Sequence, residues 1–453
     1  MSSGPQLSIG FDYGTSGARA VVIDSATKTV QHVADVKWTA EEGYDSPQAW
    51  LSAAAALLDD VPAAAKARMA RICVSGTSAS CLLVERSDPL AVTRGPAMYN
   101  YNTLRESPAA AAAAAAALER VAPPLHTTLS GTSALMKLLT WHAEAPLGAH
   151  EALAHQADYV SAYMRGGAGA EIVTDWNNAL KTGFDVEQLR WPDWLRGLHG
   201  GAAAAAVPRV VRPGAVTGAV GAAFARRHGL PPRCEVAAGT TDSIAAFLAA
   251  DGSSGGGGGA GHAVTSLGST LALKLLSATR VEDASRGVYS HRLGDGMWLV
   301  GGASNTGCAV FRQLGFSDAE LAELSADMSE STGEELGEVY YPLAGQQGER
   351  FPFNDPDMKA ILEPVPASRG EYLAGLLQSL ARVEAEGYAL LHELGALPAL
   401  AAVATAGGGA NNGAWSAMRA RRLGVPVTAA RNGDAAYGVA LLGLAQPLPV
   451  AQQ

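Results

Sequence analysis

The sequence contains the same short pattern twice, once near its start and once past its middle. An apolar, β-rich run, Leu7–Phe11, leads through a turn rich in glycine and hydroxyl residues into a second such run, Arg19–Ile23. The runs Ala263–Leu267 and Ala272–Leu275 flank a turn of the same kind. Apolar runs joined by such turns predict β-hairpins. The repetition suggests two similar domains that face each other across a cleft, although turns of this composition are also common singly.

The length and the helical patterns support two α/β domains. A chain of 453 residues exceeds what one hydrophobic core usually serves. Strands that alternate with helices, as where Val403–Ala406 precedes Ala414–Leu423, predict α/β layers. The tract Ser253–Gly259 contains five consecutive glycines, which cannot hold regular structure cheaply, so we interpret it as a loop or an insertion. It marks a boundary between predicted domains at residues 1–250 and 251–453.

The charge balance excludes some classes of partner. With 33 Lys+Arg against 43 Asp+Glu, the net charge is −10, whereas nucleic-acid binding needs a basic face. The net charge is compatible with ATP binding, because a phosphate site is built from local N–H groups and a metal.

No apolar run reaches the ~20 residues of a membrane helix. Four cysteines without a C-x-x-C pair favour a reduced, intracellular protein. We expect a cytoplasmic monomer or homodimer, with a plastid location after removal of a targeting segment as the alternative.

The two hairpin turns have the composition of phosphate-binding turns. The first contains Asp12, Gly14, Thr15 and Ser16, and the second contains Gly268, Ser269 and Thr270. Glycines let backbone N–H groups approach an anion, and the hydroxyls add donors. The carboxylate of the first turn can hold Mg²⁺, directly or through water, beside the phosphates. The two turns can grip one polyphosphate from both sides, and ordinary hairpin turns are the alternative.

Two further turns follow apolar strands. Gly408, Gly409 and Asn412 lie where a nucleotide base or ribose can rest on bare backbone, or they form a plain strand-to-helix loop. This turn lacks the complete G-x-G-x-x-G of a dinucleotide-binding dehydrogenase. Asp242 follows Gly239–Thr241 and begins a helical pattern. It can act as a helix cap, as a general base for an alcohol, or as both.

The ordered set of motifs resembles the FGGY carbohydrate kinases over residues 6 to 445. The motifs are Asp-x-Gly-Thr-Ser at 12–16, Gly-Thr-Ser at 76–78, Gly-Thr-Thr-Asp at 239–242, Ser-Leu-Gly-Ser-Thr at 266–270 and Gly-Gly-Gly-Ala-Asn-Asn at 407–412. Within that family, the segments 238–245, 264–270, 287–291 and 301–307 look like those of the D-ribulose kinases of cyanobacteria and plants.

The resemblance implies two actin-like (ribonuclease H-like) α/β domains that face each other across a nucleotide- and sugar-binding cleft. It implies that Asp12 lies near Mg²⁺ and the sugar, that Asp242 is the catalytic base, and that Thr77 and Ser78 meet the sugar. The implied ATP-binding residues are Gly14, Thr15, Ser16, Gly268, Ser269, Thr270, Gly408, Gly409 and Asn412. The implied reaction converts D-ribulose and ATP into D-ribulose 5-phosphate and ADP.

Two departures from the family pattern and two rival functions stay open. Many members carry a sugar-contacting Asp where this chain has Pro96–Thr103, and Asn100 or Asn102 would have to replace it. The family's Lys-x-x-Trp element is one residue longer here, from Lys137 to Trp141. A D-xylulose kinase is the alternative among enzymes. A non-catalytic ATP-binding protein like actin or Hsp70 is the alternative outside them.

Overall fold

The structure is a computed structural model that describes residues 6–39, 43–251, 259–345 and 348–446. The strands are β1 Leu7–Tyr13, β2 Gly17–Asp24, β3 Val30–Lys37, β4 Met69–Gly76, β5 Cys81–Glu85, β6 Val92–Ala97, β7 Glu151–His155, β8 Val173–Asp175, β9 Arg209–Val211, β10 Val216–Ala219, β11 Glu235–Thr241, β12 His262–Leu267, β13 Leu271–Ser277, β14 Tyr289–Gly294, β15 Met297–Ser304, β16 Ala402–Ala406 and β17 Val427–Ala429.

The helices are α1 Pro47–Asp60, α2 Ala63–Lys66, α3 Thr103–Glu106, α4 Pro108–Glu119, α5 Ala134–Glu144, α6 Gln156–Met164, α7 Trp176–Leu180, α8 Asp193–Arg196, α9 Ala202–Ala206, α10 Ala222–His228, α11 Asp242–Asp251, α12 Ala309–Gln313, α13 Asp318–Ser325, α14 Glu334–Val339, α15 Arg369–Glu393, α16 Gly413–Leu423 and α17 Ala435–Leu442. Among these helices, none is long and apolar enough to cross a membrane. The glycine tract predicted as a loop lies, up to residue 258, outside the described residues.

The chain divides into two units, and the first unit is discontinuous. Its described residues are 6–39, 43–251 and 434–446, and those of the second unit are 259–345 and 348–433. The second domain predicted from the sequence, residues 251–453, instead includes α17. The difference is α17, whose apolar residues pack on the first unit's sheet. The Ser8 hydroxyl donates to the Ala440 carbonyl at 2.9 Å, and Arg71 Nη1 donates to the Gly443 carbonyl at 2.8 Å.

The first unit is built on a six-stranded sheet with the order β10-β11-β4-β1-β2-β3. β1 and β11 both run parallel to β4, while β2 and β3 continue the sheet as antiparallel strands. One face carries apolar side chains such as Ile9, Phe11 and Val74, which pack on Trp50 of α1. α17 packs closely on the other face, because Gly10 has no side chain at the point of contact. A Cβ added to Gly10 would lie 2.1 Å from the Ala436 carbonyl oxygen, which is too close.

The second unit repeats this sheet. Its order is β14-β15-β13-β12-β16-β17, with β12 antiparallel to β13 and parallel to β16. In each unit, the first strand of the hairpin therefore has the second hairpin strand on one side and a parallel strand on the other. The parallel neighbour is β4 for β1 and β16 for β12. The two predicted hairpins are present, and so is the strand–helix alternation of α/β layers.

A buried ion pair joins the helices and strands of the second unit. Arg419 of α16 and Glu384 of α15 are each 1% exposed at the side chain. The guanidinium donates to both carboxylate oxygens, at 2.6 and 2.7 Å, and to the Thr405 hydroxyl of β16 at 2.7 Å. The Thr265 hydroxyl of β12 donates to the same carboxylate. Two neighbouring strands and both helices are thus fixed to one another.

Candidate active site

The carboxyl ends of three parallel strands of the first unit bring polar residues together. Asp12 near the end of β1 lies beside Ser75 of β4, which lies beside Thr240 of β11. The Ser75 hydroxyl donates to Asp12 Oδ1 at 2.7 Å. Asp242 begins α11 directly after β11. Parallel strands end at one edge of a sheet, which is where open α/β sheets bind their ligands.

Asp12 lies in a strongly acidic environment. The pKa of its carboxyl group is raised to about 7, mainly by burial and less by the nearby charges of Asp242 and Asp434, while the Ser75 hydrogen bond acts to lower it. Asp434 caps α17 by accepting from the Ala436 N–H at 3.0 Å. Three carboxylates therefore influence one small region, which favours a bound cation or a proton.

The Asp242 carboxylate is held by the backbone N–H of the next residue, and the charged group of a lysine lies within electrostatic range. Its Oδ1 accepts from the Ser243 N–H at 2.6 Å. Burial lowers the pKa of Lys181, at the end of α7, and the charge of Asp242 acts on it in the opposite direction. α7 is tied to β11 because Asn177 Nδ2 donates to the Thr240 hydroxyl at 3.1 Å. Asp242 thus lies within electrostatic reach of both an acid and a base.

The predicted sugar turn follows β4, at the same strand edge. Thr77 is buried, and its N–H and hydroxyl donate to Gln156 Oε1 at 3.0 and 3.1 Å. Its hydroxyl also lies 2.5 Å from the Ser80 hydroxyl. The Thr77 side chain therefore holds the turn together, while the half-buried Ser78 is the more accessible hydroxyl.

Lys137 fastens this turn to a neighbouring segment. It is 1% exposed, and its ammonium donates to the carbonyls of Ala79 and Met98 at 2.8 and 2.7 Å. Burial lowers its pKa to about 8. Of the two asparagines considered as substitutes for the family's aspartate, Asn102 caps α3 through the Leu104 N–H at 3.1 Å. Asn100 is exposed and, among the described residues, accepts only a 3.4 Å contact from the Tyr44 hydroxyl, so it is the more available of the two.

Some polar atoms near this edge have no partner in the described residues. They are the buried Gln156 Nε2, Asn177 Oδ1 and Thr241 Oγ1. Thr241 of β11 pairs with Gly76 of β4, and the Gln156 amide also lies beside Gly76. Because buried polar groups are nearly always hydrogen-bonded, these atoms indicate capacity for a polar ligand or ordered water at this edge.

The two predicted phosphate turns have similar backbones. In the first, the Gly14 N–H donates to the Gly17 carbonyl at 3.0 Å, and in the second the Gly268 N–H donates to the Thr270 carbonyl at 3.2 Å. Thr15 and Ser16 are exposed. Within the described part of the chain, their N–H groups have no hydrogen-bond partner. Each turn therefore presents free donors, as an anion site requires.

The second turn opens into a cavity of about 1050 Å³ within the second unit. The Cys308 and Ala309 N–H groups donate to the carbonyls of Gly268 and Ser269 at 2.9 and 3.3 Å, which fixes the turn. The residues lining the cavity include Leu267, Gly268, Ser269, Phe311, Arg312, Phe316, Asp318, Ser325, Gly408, Gly409, Asn412 and Trp415. Glycine and aromatic walls with a few polar groups are typical of a nucleotide-sized site.

The third predicted turn lies on the wall of the same cavity. An added Cβ at Gly409 would lie 2.6 Å from the Trp415 ring, so a side chain there would close the space. Asn412 caps α16 by accepting from the Trp415 N–H at 2.9 Å, and its Nδ2 donates to the Ser325 hydroxyl at 2.9 Å. Both ends of its amide are thus used within the protein. Asn412 shapes the cavity as well as lining it.

Two family models together match nearly the whole chain. The N-terminal domain of the FGGY family of carbohydrate kinases matches residues 7–249, and its C-terminal domain matches residues 263–446. The chain belongs to the FGGY family of carbohydrate kinases. It is therefore an ATP-dependent sugar kinase, and the predicted two-domain, actin-like α/β fold is confirmed.

Solved structures with this FGGY fold include several sugar kinases. A "xyloylose kinase" from Brucella ovis has a TM-score of 0.78 at 22% identity, over 97% of this chain and 90% of that one. A xylulose kinase from Rhodospirillum rubrum has a TM-score of 0.76 at 24% identity, over 96% and 89%. A glycerol kinase from Plasmodium falciparum, solved with ADP, has a TM-score of 0.76 at 12% identity, over 97% and 89%.

Several residues of this FGGY kinase that support the candidate site were missed by sequence reasoning. They are Ser75, Gln156, Lys181, Arg312 and Ser325. Ser75 had a usable signal, because it occupies the position on β4 that a parallel neighbour places beside Asp12. The other four reach the site from helices or helix ends, and no local motif marks such long-range contacts.

Proposed function

We propose that this kinase transfers the terminal phosphoryl group of ATP to the O5 hydroxyl of D-ribulose, with Asp242 as the general base. The observation that carries the proposal is the convergence of Asp12, Ser75 and Asp242 at one strand edge. The choice of D-ribulose rests on the resemblance of segments 238–245 and 264–270 to ribulose kinases. D-xylulose is the second candidate, because solved structures of this fold carry the name xylulose kinase.

In the proposed reaction, Asp242 orients the attacking hydroxyl and takes its proton as the phosphoryl group is transferred. Proton transfer to a carboxylate needs the ionised form, and Lys181 favours that form because its positive charge lies nearby. Ser78 and the polar atoms around Gln156 are proposed to hold the sugar. The free N–H groups of the two turns are proposed to bind phosphate oxygens.

Magnesium is the metal we propose for the first turn. Among the described residues, no group of three or more side chains could hold a metal by itself. Mg²⁺ is usually bound by one or two carboxylates together with phosphates and water, so a single carboxylate such as that of Asp12 fits. Burial is the main cause of the raised pKa of Asp12, and the charges of Asp242 and Asp434, which add to it, also favour a cation there. When bound, the ion would neutralise phosphate charge.

The raised pKa of Asp12 predicts that this residue destabilises the empty enzyme at neutral and higher pH. The folded protein retains the Asp12 proton up to about pH 7, whereas the unfolded chain releases it near the usual aspartate pKa of 3.8. The native state therefore binds more protons in that window, and the contribution of Asp12 to the free energy of unfolding falls as the pH rises through it. Asp12→Asn is expected to raise this free energy by about 1–3 kcal/mol at pH 8 and little at pH 4, and to lose kinase activity.

Thermal unfolding without nucleotide or magnesium, at both pH values, measures this effect. Asp193→Asn, which removes an exposed carboxylate of α8, serves as the control and should change neither quantity. A lower melting temperature of Asp12→Asn at pH 8 would show that the ionised carboxylate is well solvated or paired in the native enzyme.

Substrate choice tests the sugar assignment. D-ribulose is expected to give the highest kcat/KM in a panel of pentuloses, hexuloses and glycerol, measured as ADP release. D-xylulose differs at one hydroxyl, so a polar partner would be left unpaired at about 1–3 kcal/mol, equivalent to roughly tenfold to a hundredfold in kcat/KM. A clear preference for D-xylulose would replace D-ribulose as the substrate. Turnover of no sugar in the panel would contradict the proposed function.

A further inference from the structure

We infer that Arg312 binds the terminal phosphates of the nucleotide. No motif of the sequence assigns this role to Arg312. Arg312 lies on α12 and lines the cavity of the second unit. Its Nη2 donates to the Ser269 hydroxyl, in the middle of the second turn, at 2.9 Å. The inference rests on the proposed function and on the further proposal that ATP binds in this cavity, on whose wall the second turn and the turn at residues 408–412 lie.

The contacts between α12 and the turn place the guanidinium beside free donors. The segment that leads into α12 fixes the turn through the Cys308 and Ala309 N–H groups, which use the carbonyls of the turn. The N–H groups of Ser269 and Thr270 keep no partner in the described part of the chain. An anion bound by these N–H groups would therefore lie next to the residue that Arg312 already contacts.

The charges of the cavity favour the same role. Of its lining residues, Arg312 is the only cation and Asp318 the only carboxylate. The neighbouring Cys308 thiol does not compete as an anion, because burial raises its pKa to about 11. A guanidinium has five N–H donors in a planar fork that suits phosphate. The Ser269 hydroxyl uses one donor, and no other side chain or carbonyl in the described ranges takes the rest.

The expected ligand is a nucleoside di- or triphosphate, and adenosine alone should not use Arg312. Binding of ADP and of adenosine to the complete enzyme can be measured by calorimetry. Arg312→Gln is expected to weaken ADP binding about tenfold to a hundredfold, as for loss of a charge-assisted hydrogen bond, and to leave adenosine binding within about twofold. Arg312→Lys should retain part of the ADP affinity, because it keeps the charge without the fork.

The matched control is Arg421→Gln, which removes an exposed arginine of α16 that pairs with Glu334 at 3.1 Å, away from the cavity lining. It should bind both ligands like the wild type. Unchanged ADP affinity in Arg312→Gln, or an equal loss of ADP and adenosine affinity, would overturn the inference.

A second variant separates failure of this inference from failure of the proposed nucleotide site. Ala322→Trp places a large side chain on the cavity wall and should weaken ADP and adenosine alike if the cavity binds nucleotide. If Ala322→Trp weakens both ligands while Arg312→Gln weakens neither, the cavity is the nucleotide site and Arg312 has no part in it. If neither variant changes either affinity, the nucleotide site lies elsewhere and both proposals fail.

Discussion

The Asp242→Asn variant is expected to fold and to bind ADP like the wild type, but to lose about 10²- to 10⁴-fold in kcat. The amide keeps the shape of the carboxylate and can still accept from the Ser243 N–H. It cannot take a proton from the sugar hydroxyl. The loss should therefore appear in kcat, with little change in the KM for ATP, when ADP release is followed at saturating sugar.

Asp193→Asn again provides the control for this change, since it makes the same substitution at an exposed site of the first unit. Its kcat should equal that of the wild type. If Asp242→Asn retains near wild-type kcat while its melting temperature falls, Asp242 acts only at the start of α11, and the proposed general base is wrong.

The Glu384→Ala variant is expected to lose about 3–5 kcal/mol of stability in the second unit. The change leaves the guanidinium of Arg419 buried without its carboxylate, because both side chains are only 1% exposed. The Thr265 hydroxyl loses the same acceptor. Urea unfolding followed by tryptophan fluorescence, with and without ADP, can resolve the transition of the unit that contains the proposed nucleotide cavity.

Two comparisons interpret the result. Glu338→Ala breaks an ion pair with Arg422 in which the side chains are 50% and 30% exposed, so it should cost less than about 1 kcal/mol. Replacing both buried partners, as Glu384→Leu with Arg419→Met, should recover much of the loss because no uncompensated charge remains. A loss below about 1 kcal/mol in Glu384→Ala would mean that water reaches the pair.

The elements of the fold that local patterns determine were predictable from the sequence. Both hairpins and their turns follow from apolar runs around glycine and hydroxyl residues. These hairpin predictions needed only the periodicity of the chain. The expectation that Asp12 and Asp242 serve one site came from the resemblance to the FGGY kinases, since no local pattern shows which strands lie side by side.

The contacts of individual side chains were not predictable. The ligand contacts of Thr77 and Asn412 stay predictions, and the structure adds hydrogen bonds from both residues, to Gln156 and Ser325, that no local pattern marks. Which partner a hydroxyl or an amide takes depends on groups that are distant in sequence. The placement of α17 was missed for the same reason, since an apolar helix pattern does not reveal which sheet it covers.

The return of α17 to the first unit has a consequence for how the protein is made. The second unit is a continuous stretch, so a growing chain holds all of its strands before α17 has been synthesised. The first unit begins earlier in the chain, but one face of its sheet lacks the helix α17 until residues 435–442 leave the ribosome. Asp434, which acts on Asp12, arrives at the same late moment. The cavity of the second unit can therefore form before α17 is made, whereas Asp434 joins the acidic strand edge only after residue 433 has been translated.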